Sequence, residues 1–154
     1  MKKIRIILLM LLATAVNTLH AQQNNEEEAI KKAINQLFDG MRKADSTLIK
    51  AVFNEGAILQ TIAKNKEGKT LLRTEKLNDF VASIAQVRNV VLDERIVFTK
   101  ILIDDKLASV WTDYRFFIGD KFSHCGVNSF QLVKIGDTWK IVYLIDTRRK
   151  ENCN

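Results

Sequence analysis

Few residues in this 154-residue chain are of a type that does chemistry, and they gather in its last third. His124 is one of two histidines, the other being His20 near the start. A histidine within reach of a carboxylate can serve as general base near neutral pH, and Asp113 is the carboxylate whose spacing suits that role. Arg115 and Arg149 are the expected lateral neighbours of His124, and two cations there favour its neutral form. Ser123 is set aside as a nucleophile, because adjacent residues of a strand point to opposite faces. Gly56, Gly68, Gly119, Gly126 and Gly136 are too scattered to form a phosphate-cradling loop. Past residue 21 one histidine and two cysteines are left, with no pair at zinc-binding spacing, so neither a metal nor a cofactor is expected.

Residues 1–21 have the layout of a signal peptide. Lys2, Lys3 and Arg5 precede an apolar run from Ile6 to Val16, and Ala21 offers a small residue for cleavage before Gln22. The run is too short to span a bilayer. Removing it leaves 133 residues, 22–154, enough for one domain and too few for two. It also leaves 21 Lys and Arg against 18 Asp and Glu, a formal charge of +3 in place of +6. Those charges are mixed in sign along the chain, which argues against a nucleic-acid interface. The expected destination is the periplasm or the exterior, with no membrane contact after cleavage. In that oxidising setting Cys125 and Cys153 either pair or remain a small strand residue and a free thiol in a loose tail.

The elements that must position these residues follow from periodicity. Asn25 with Glu28 forms a capping-box-like start for a helix whose stripe is Ile30, Ala33, Ile34, Leu37, Phe38 and Met41. Asp45 or Ser46 caps a short second helix, and Thr74 a third carrying Leu77, Phe80, Val81, Ile84 and Val87. Ala57 to Ile62 and Thr70 to Leu72 read as short strands. From Leu92 to Arg149, polar turns at Asp104-Asp105, Gly119-Asp120 and Gly136-Asp137 cut the chain into a four-strand antiparallel meander. If each turn is a two-residue hairpin, one sheet face carries Glu94, Phe98, Trp111, Asp113, Arg115, His124, Asn128, Phe130, Tyr143 and Ile145. Helices followed by a curved meander suggest a cone. Trp111, Phe98, Phe130 and Tyr143 would form its apolar wall, and Asp113, Arg115, His124, Asn128 and Glu94 its polar mouth. A bulge in any strand would swap part of this assignment. Trp139 is read as plain core.

The run Lys43-Ala44-Asp45, Leu48 to Phe53 and Asn54-Glu55-Gly56-Ala57, followed by a third helix and the meander, resembles the nuclear transport factor 2-like (NTF2-like, or SnoaL-like) superfamily over residues 25–149. Trp111-Thr112-Asp113-Tyr114, His124-Cys125-Gly126-Val127, Gly136 to Val142 and Asp146-Thr147-Arg148-Arg149 are similar to its exported bacterial branch named putative lumazine-binding. The resemblance implies an α+β, cone-shaped fold with N-terminal helices packed on a curved antiparallel sheet. It also implies a homodimer formed through the opposite sheet face, around Val110, Tyr114, Val127, Val142 and Leu144. The superfamily includes isomerases, dehydratases, cyclases and hydrolases as well as binding and scaffold modules, so fold alone does not fix activity. Three functions remain open. The first is a non-catalytic binder of a small apolar or aromatic molecule. The second is an isomerase, dehydratase or cyclase using Asp113 and His124. The third is an interaction module whose pocket is filled by Trp111 and Phe98.

Overall fold

The computed structural model describes the backbone of residues 2–87 and 89–153, with side chains from residue 23. The leader therefore lies outside the residues whose side chains are described. The elements run α1 (Lys2–Lys43), α2 (Ser46–Val52), β1 (Phe53–Lys64), β2 (Thr70–Lys76), α3 (Leu77–Ala85), β3 (Leu92–Asp104), β4 (Leu107–Ile118), β5 (Lys121–Ile135) and β6 (Thr138–Thr147). The six strands form one sheet in the order β2-β1-β6-β5-β4-β3, open at both edges. All pairs are antiparallel except β1 with β6, which run parallel because β1 enters from the helical layer rather than from a hairpin. Among the described residues no helix is long and apolar enough to cross a membrane.

The helical stripe is buried as its spacing requires. Ile30, Ile34, Leu37, Phe38 and Met41 of α1 join Ile49 and Val52 of α2 and Val81 and Ile84 of α3 over the concave sheet face. That face contributes Ala108, Val110, Phe130, Leu132, Trp139 and Ile141. Each large apolar side chain so buried stabilises by about 1.5–3 kcal/mol. Trp139 is core as expected, and its indole N–H donates to Glu26 at 2.8 Å, while Glu26 also pairs with Lys134 at 2.5 Å. Gly40 has a packing reason: a Cβ there would sit 2.6 Å from the Ile49 side chain, so the glycine lets α2 close on α1.

Local boundaries depart from expectation in several places: α3 stops at Ala85, short of Val87, and β1 and β2 run longer than the Ala57–Ile62 and Thr70–Leu72 segments. α1 runs through Asn25, which therefore caps nothing; the residues before it include no proline or glycine to interrupt a helix. Asp45 does cap α2, its Oδ1 accepting from Thr47 and Leu48 N–H at 2.9 and 3.1 Å. Thr74, however, stays in β2, and α3 begins after Lys76 without a side-chain cap. Pairing along β1 extends β2 to Lys76, so the ladder outweighs the capping preference.

Candidate functional site

The hairpins set which side chains reach the concave face. Two turns fall where expected, with Ile118 opposite Lys121 and Ile135 opposite Thr138. The first lies one residue later, Asp104 opposite Leu107, with Asp105 at a φ of 49°. Each ladder then carries one bulge: at Thr99 between β3 and β4, at Ser123 between β4 and β5, and at Val142 between β5 and β6. Every bulge inverts the faces beyond it, since side chains alternate with period two.

The first two inversions cancel between β3 and β5, so Glu94, Phe98, His124, Asn128 and Phe130 share the concave face as expected. On β4 the assignment reverses. Phe98 faces Thr112 rather than Trp111, His124 faces Phe116, and Arg115 faces Cys125. Trp111, Asp113 and Arg115 therefore lie on the convex face and line no part of the central cavity. Trp111 is 48% exposed, and Arg115 sits over the Phe122 ring at 5.4 Å. Beyond Val142, β6 turns Tyr143 and Ile145 outward, and the Tyr143 hydroxyl donates to Gln60 at 2.5 Å. Phe98 and Phe130 belong to the core instead of the cavity wall, with Phe130 fully buried and edge-on to Phe38 at 6.3 Å. The pairing of Asp113 with His124 is thus undone, and neither Trp111 nor Phe98 fills the cone.

A cavity of about 260 Å³ opens between the helices and the concave face. Leu37, Phe38 and Met41 of α1, Phe80 and Ile84 of α3, and Leu92, Phe116 and Leu144 of the sheet supply its apolar lining. Its polar end holds Glu94, His124, Asn128, Asp146 and Arg148. Of the residues expected in a pocket, His124 and Asn128 are there, with Glu94 beside them. Phe116, Leu144, Asp146 and Arg148, assigned to the opposite face, are the ones the bulges bring in, and Tyr114 turns with them to hydrogen-bond Asp146 without lining the cavity itself. A signal for them existed on β4, where Val110, Tyr114 and Phe116 are more apolar than their alternates Ser109, Asp113 and Arg115.

The polar groups are interlocked. Asn128 donates to Glu94 Oε1 at 2.8 Å and lies 3.4 Å from Thr112 Oγ1. Asp146 accepts from the Thr61 hydroxyl at 2.5 Å, from Tyr114 at 3.1 Å and from Arg148 Nε at 3.0 Å. Tyr114 also contacts the Thr147 carbonyl at 2.8 Å, and burial beside Asp146 drives its phenol well above the ordinary range. This close approach is why position 126 is glycine: a Cβ there would lie 1.8 Å from the Thr147 carbonyl oxygen. Burial pushes Glu94 up to about 7, the Asn128 hydrogen bond opposing and the Asp146 charge adding to the rise. His124 is held below its ordinary value, by burial first and then by the Arg148 charge. Ser123 Oγ and His124 Nδ1 share a hydrogen bond of 3.0 Å, a contact that alternation forbids in a regular strand and that the bulge at Ser123 permits.

Cys125 and Cys153 form a disulfide on the convex face, and Arg149 pairs with Cys125 through two backbone hydrogen bonds of 2.9 Å. The bonded alternative is the one realised.

Comparison with known proteins agrees with this architecture. Residues 25–144 match the family described as putative lumazine-binding. No curated protein matches the chain. Among solved structures, an NTF2-like protein of unknown function from Shewanella baltica OS155 is 20% identical with a TM-score of 0.64, over 82% of this chain and 96% of that one. A conserved protein from Planctomyces limnophilus is 16% identical with a TM-score of 0.67, over 82% and 98%. A putative dehydratase of the NTF2-like family from Streptomyces avermitilis is 10% identical with a TM-score of 0.60, over 82% and 98%. Identities this low speak for the fold alone. With helices laid over a bulged, open sheet and a family match spanning most of its length, the chain belongs to the putative lumazine-binding family and has the NTF2-like fold.

Proposed function

We propose that this protein is exported and binds a small molecule in the cavity between α1, α3 and the concave sheet face, without transforming it. The cavity itself carries this reading, with apolar walls on both sides and a small set of fixed polar groups at one end, the usual furnishing of a ligand site. The family's description makes lumazine a natural first ligand to try, alongside apolar and aromatic heterocycles. Thermal shift of the wild type against these compounds should show saturable stabilisation. Leu144→Trp, which overfills the cavity, should abolish it while leaving the circular dichroism spectrum unchanged. Stabilisation that persists in Leu144→Trp would place binding elsewhere, and ligand recovered chemically altered would displace the binder reading.

A second reading has one observation in its favour. Glu94, poised near neutrality inside the cavity and sharing it with a neutral-leaning His124, could act as a general acid or base in a dehydratase- or isomerase-type reaction. In that case Glu94→Gln would leave ligand affinity near wild type and lower turnover by about 100-fold or more.

A further inference from the structure

The polar end of the cavity is unevenly committed. Arg148 is engaged by Asp146 at 3.0 Å and by Thr61 at 3.2 Å. Arg42 reaches over from α1 to pair with Asp39 and Asp93, and meets Glu94 only at its backbone carbonyl, 3.3 Å away. Protonation of His124 is disfavoured by burial first and then by the Arg148 charge. Among the described residues no cation pairs with the Glu94 carboxyl, and Asn128 is the one side chain that bonds it, at Oε1. Among the described residues no enclosed side-chain oxygen lacks a partner, so Glu94 Oε2, for which no hydrogen bond is seen, is not fully enclosed, and Glu94 is a lining residue of the cavity. The other acids along the lining, Asp146 and Glu75, add negative potential rather than neutralising it.

We propose that the cavity receives a flat one- or two-ring ligand whose edge is a delocalised cation or a pair of N–H donors, an amidine-type edge, seated on Glu94 Oε2. This rests on the ligand-binding reading above and narrows it. A planar edge of that kind meets a carboxylate with parallel N–H···O bonds. The apolar walls at Leu37 and Phe38 on one side and Phe116 and Leu144 on the other flank the ring. At about 260 Å³ the space falls just below the range usual for drug-sized ligands, which limits the occupant to one or two rings. The edge supplies the counter-charge that the fold withholds.

Protonation then controls affinity. Since Glu94 titrates near 7, the acid form greets a cation poorly and the carboxylate greets it well. The charged and titratable groups facing Glu94 are Asp146 and Arg148 at the end of β6, His124 on β5, Tyr114 on β4, Glu75 on β2 and Arg42 on α1. Of these, His124 is disfavoured from taking a proton by burial and by the Arg148 charge, and a protonated His124 would also repel a cation.

Isothermal titration calorimetry with benzamidine, 2-aminobenzimidazole, benzoate and benzyl alcohol tests the proposal on the full mature chain. The two N–H-edged probes should bind at least about 10-fold more tightly than benzoate or benzyl alcohol at pH 8. Their affinity should fall by about 10-fold between pH 7 and pH 5.5, with proton release detected by comparing buffers of different ionisation enthalpy. Glu94→Gln should remove most of the affinity and the pH slope, whereas His124→Gln should keep the slope. Equal binding of benzyl alcohol and benzamidine, or a slope unchanged in Glu94→Gln, would overturn the amidine assignment while leaving small-molecule binding intact. Binding of none of the four at millimolar concentration would overturn the assignment, and if lumazine and the heterocycles also gave no thermal shift, the binding reading would fall with it.

Discussion

Glu94 is the residue on which the site's pH behaviour turns. Its carboxyl has an ordinary value of 4.5 and is held near 7 in the fold, so the native protein binds the extra proton across that interval. The stabilisation is complete below pH 4.5 and is lost as pH rises toward 7, an effect on the order of 3 kcal/mol. His124 works in the opposite sense: its value is lowered, so its contribution is present above its ordinary 6.5 and is lost as pH falls. Subtracting Glu94→Gln from wild type isolates the first effect, because glutamine keeps an oxygen for Asn128 and carries no proton to exchange. Urea unfolding at pH 4.5 and pH 8 should show wild type losing about 2–4 kcal/mol relative to Glu94→Gln. A difference independent of pH would mean that the carboxyl is solvated in the native state.

At the scale of elements, the bulges and the disulfide decide the site. Thr99, Ser123 and Val142 each add one residue to one side of a ladder, and together they turn Asp113, Arg115 and Trp111 outward while bringing Tyr114, Phe116 and Asp146 in. The tail after β6 is held against β5 by Cys125–Cys153, which closes a loop of 28 residues. Restricting the unfolded chain by a loop of that length is worth about 3–4 kcal/mol. Unfolding of Cys153→Ser, or of reduced wild type, should show a loss of that order. A loss below about 1 kcal/mol would indicate that the Arg149 pairing holds the tail without the bond.

At the scale of the molecule, the convex face stands out for what it leaves in solvent. Val97, Leu102, Leu107 and Trp111 are 64%, 55%, 50% and 48% exposed. We propose that this face forms an isologous homodimer, which needs one self-complementary patch. The contact residues differ from those expected from regular alternation, since Val110, Tyr114 and Leu144 face inward. Sedimentation at high micromolar concentration should give a dimer for wild type and a monomer for Trp111→Lys, with little change in melting temperature because Trp111 is half-exposed. Monomer for both would remove the proposal. Export is proposed on the charged start and short apolar run of residues 1–21. Mass spectrometry of protein from the native host should find the chain beginning at or near Gln22, and an intact leader in most of the material would contradict it.

The sequence by itself determined what depends on near neighbours along the chain. The stripe from Ile30 to Met41, the Asp45 cap, the turns at Gly119-Asp120 and Gly136-Asp137, and the family motifs were legible because helix period, capping and turn chemistry are local. The pairing of Cys125 with Cys153 was legible only as an option, for spacing along the chain does not say whether two cysteines meet. The site was half legible: His124, Asn128 and Glu94 share a face because two bulges cancel between β3 and β5. The rest was decided by the tertiary structure. A bulge is a response to sheet curvature and to packing against the helices, so its position is set by contacts distant in sequence. One such residue per ladder was enough to exchange Arg115 for Phe116 and Tyr143 for Leu144, and with them the chemistry that faces the cavity.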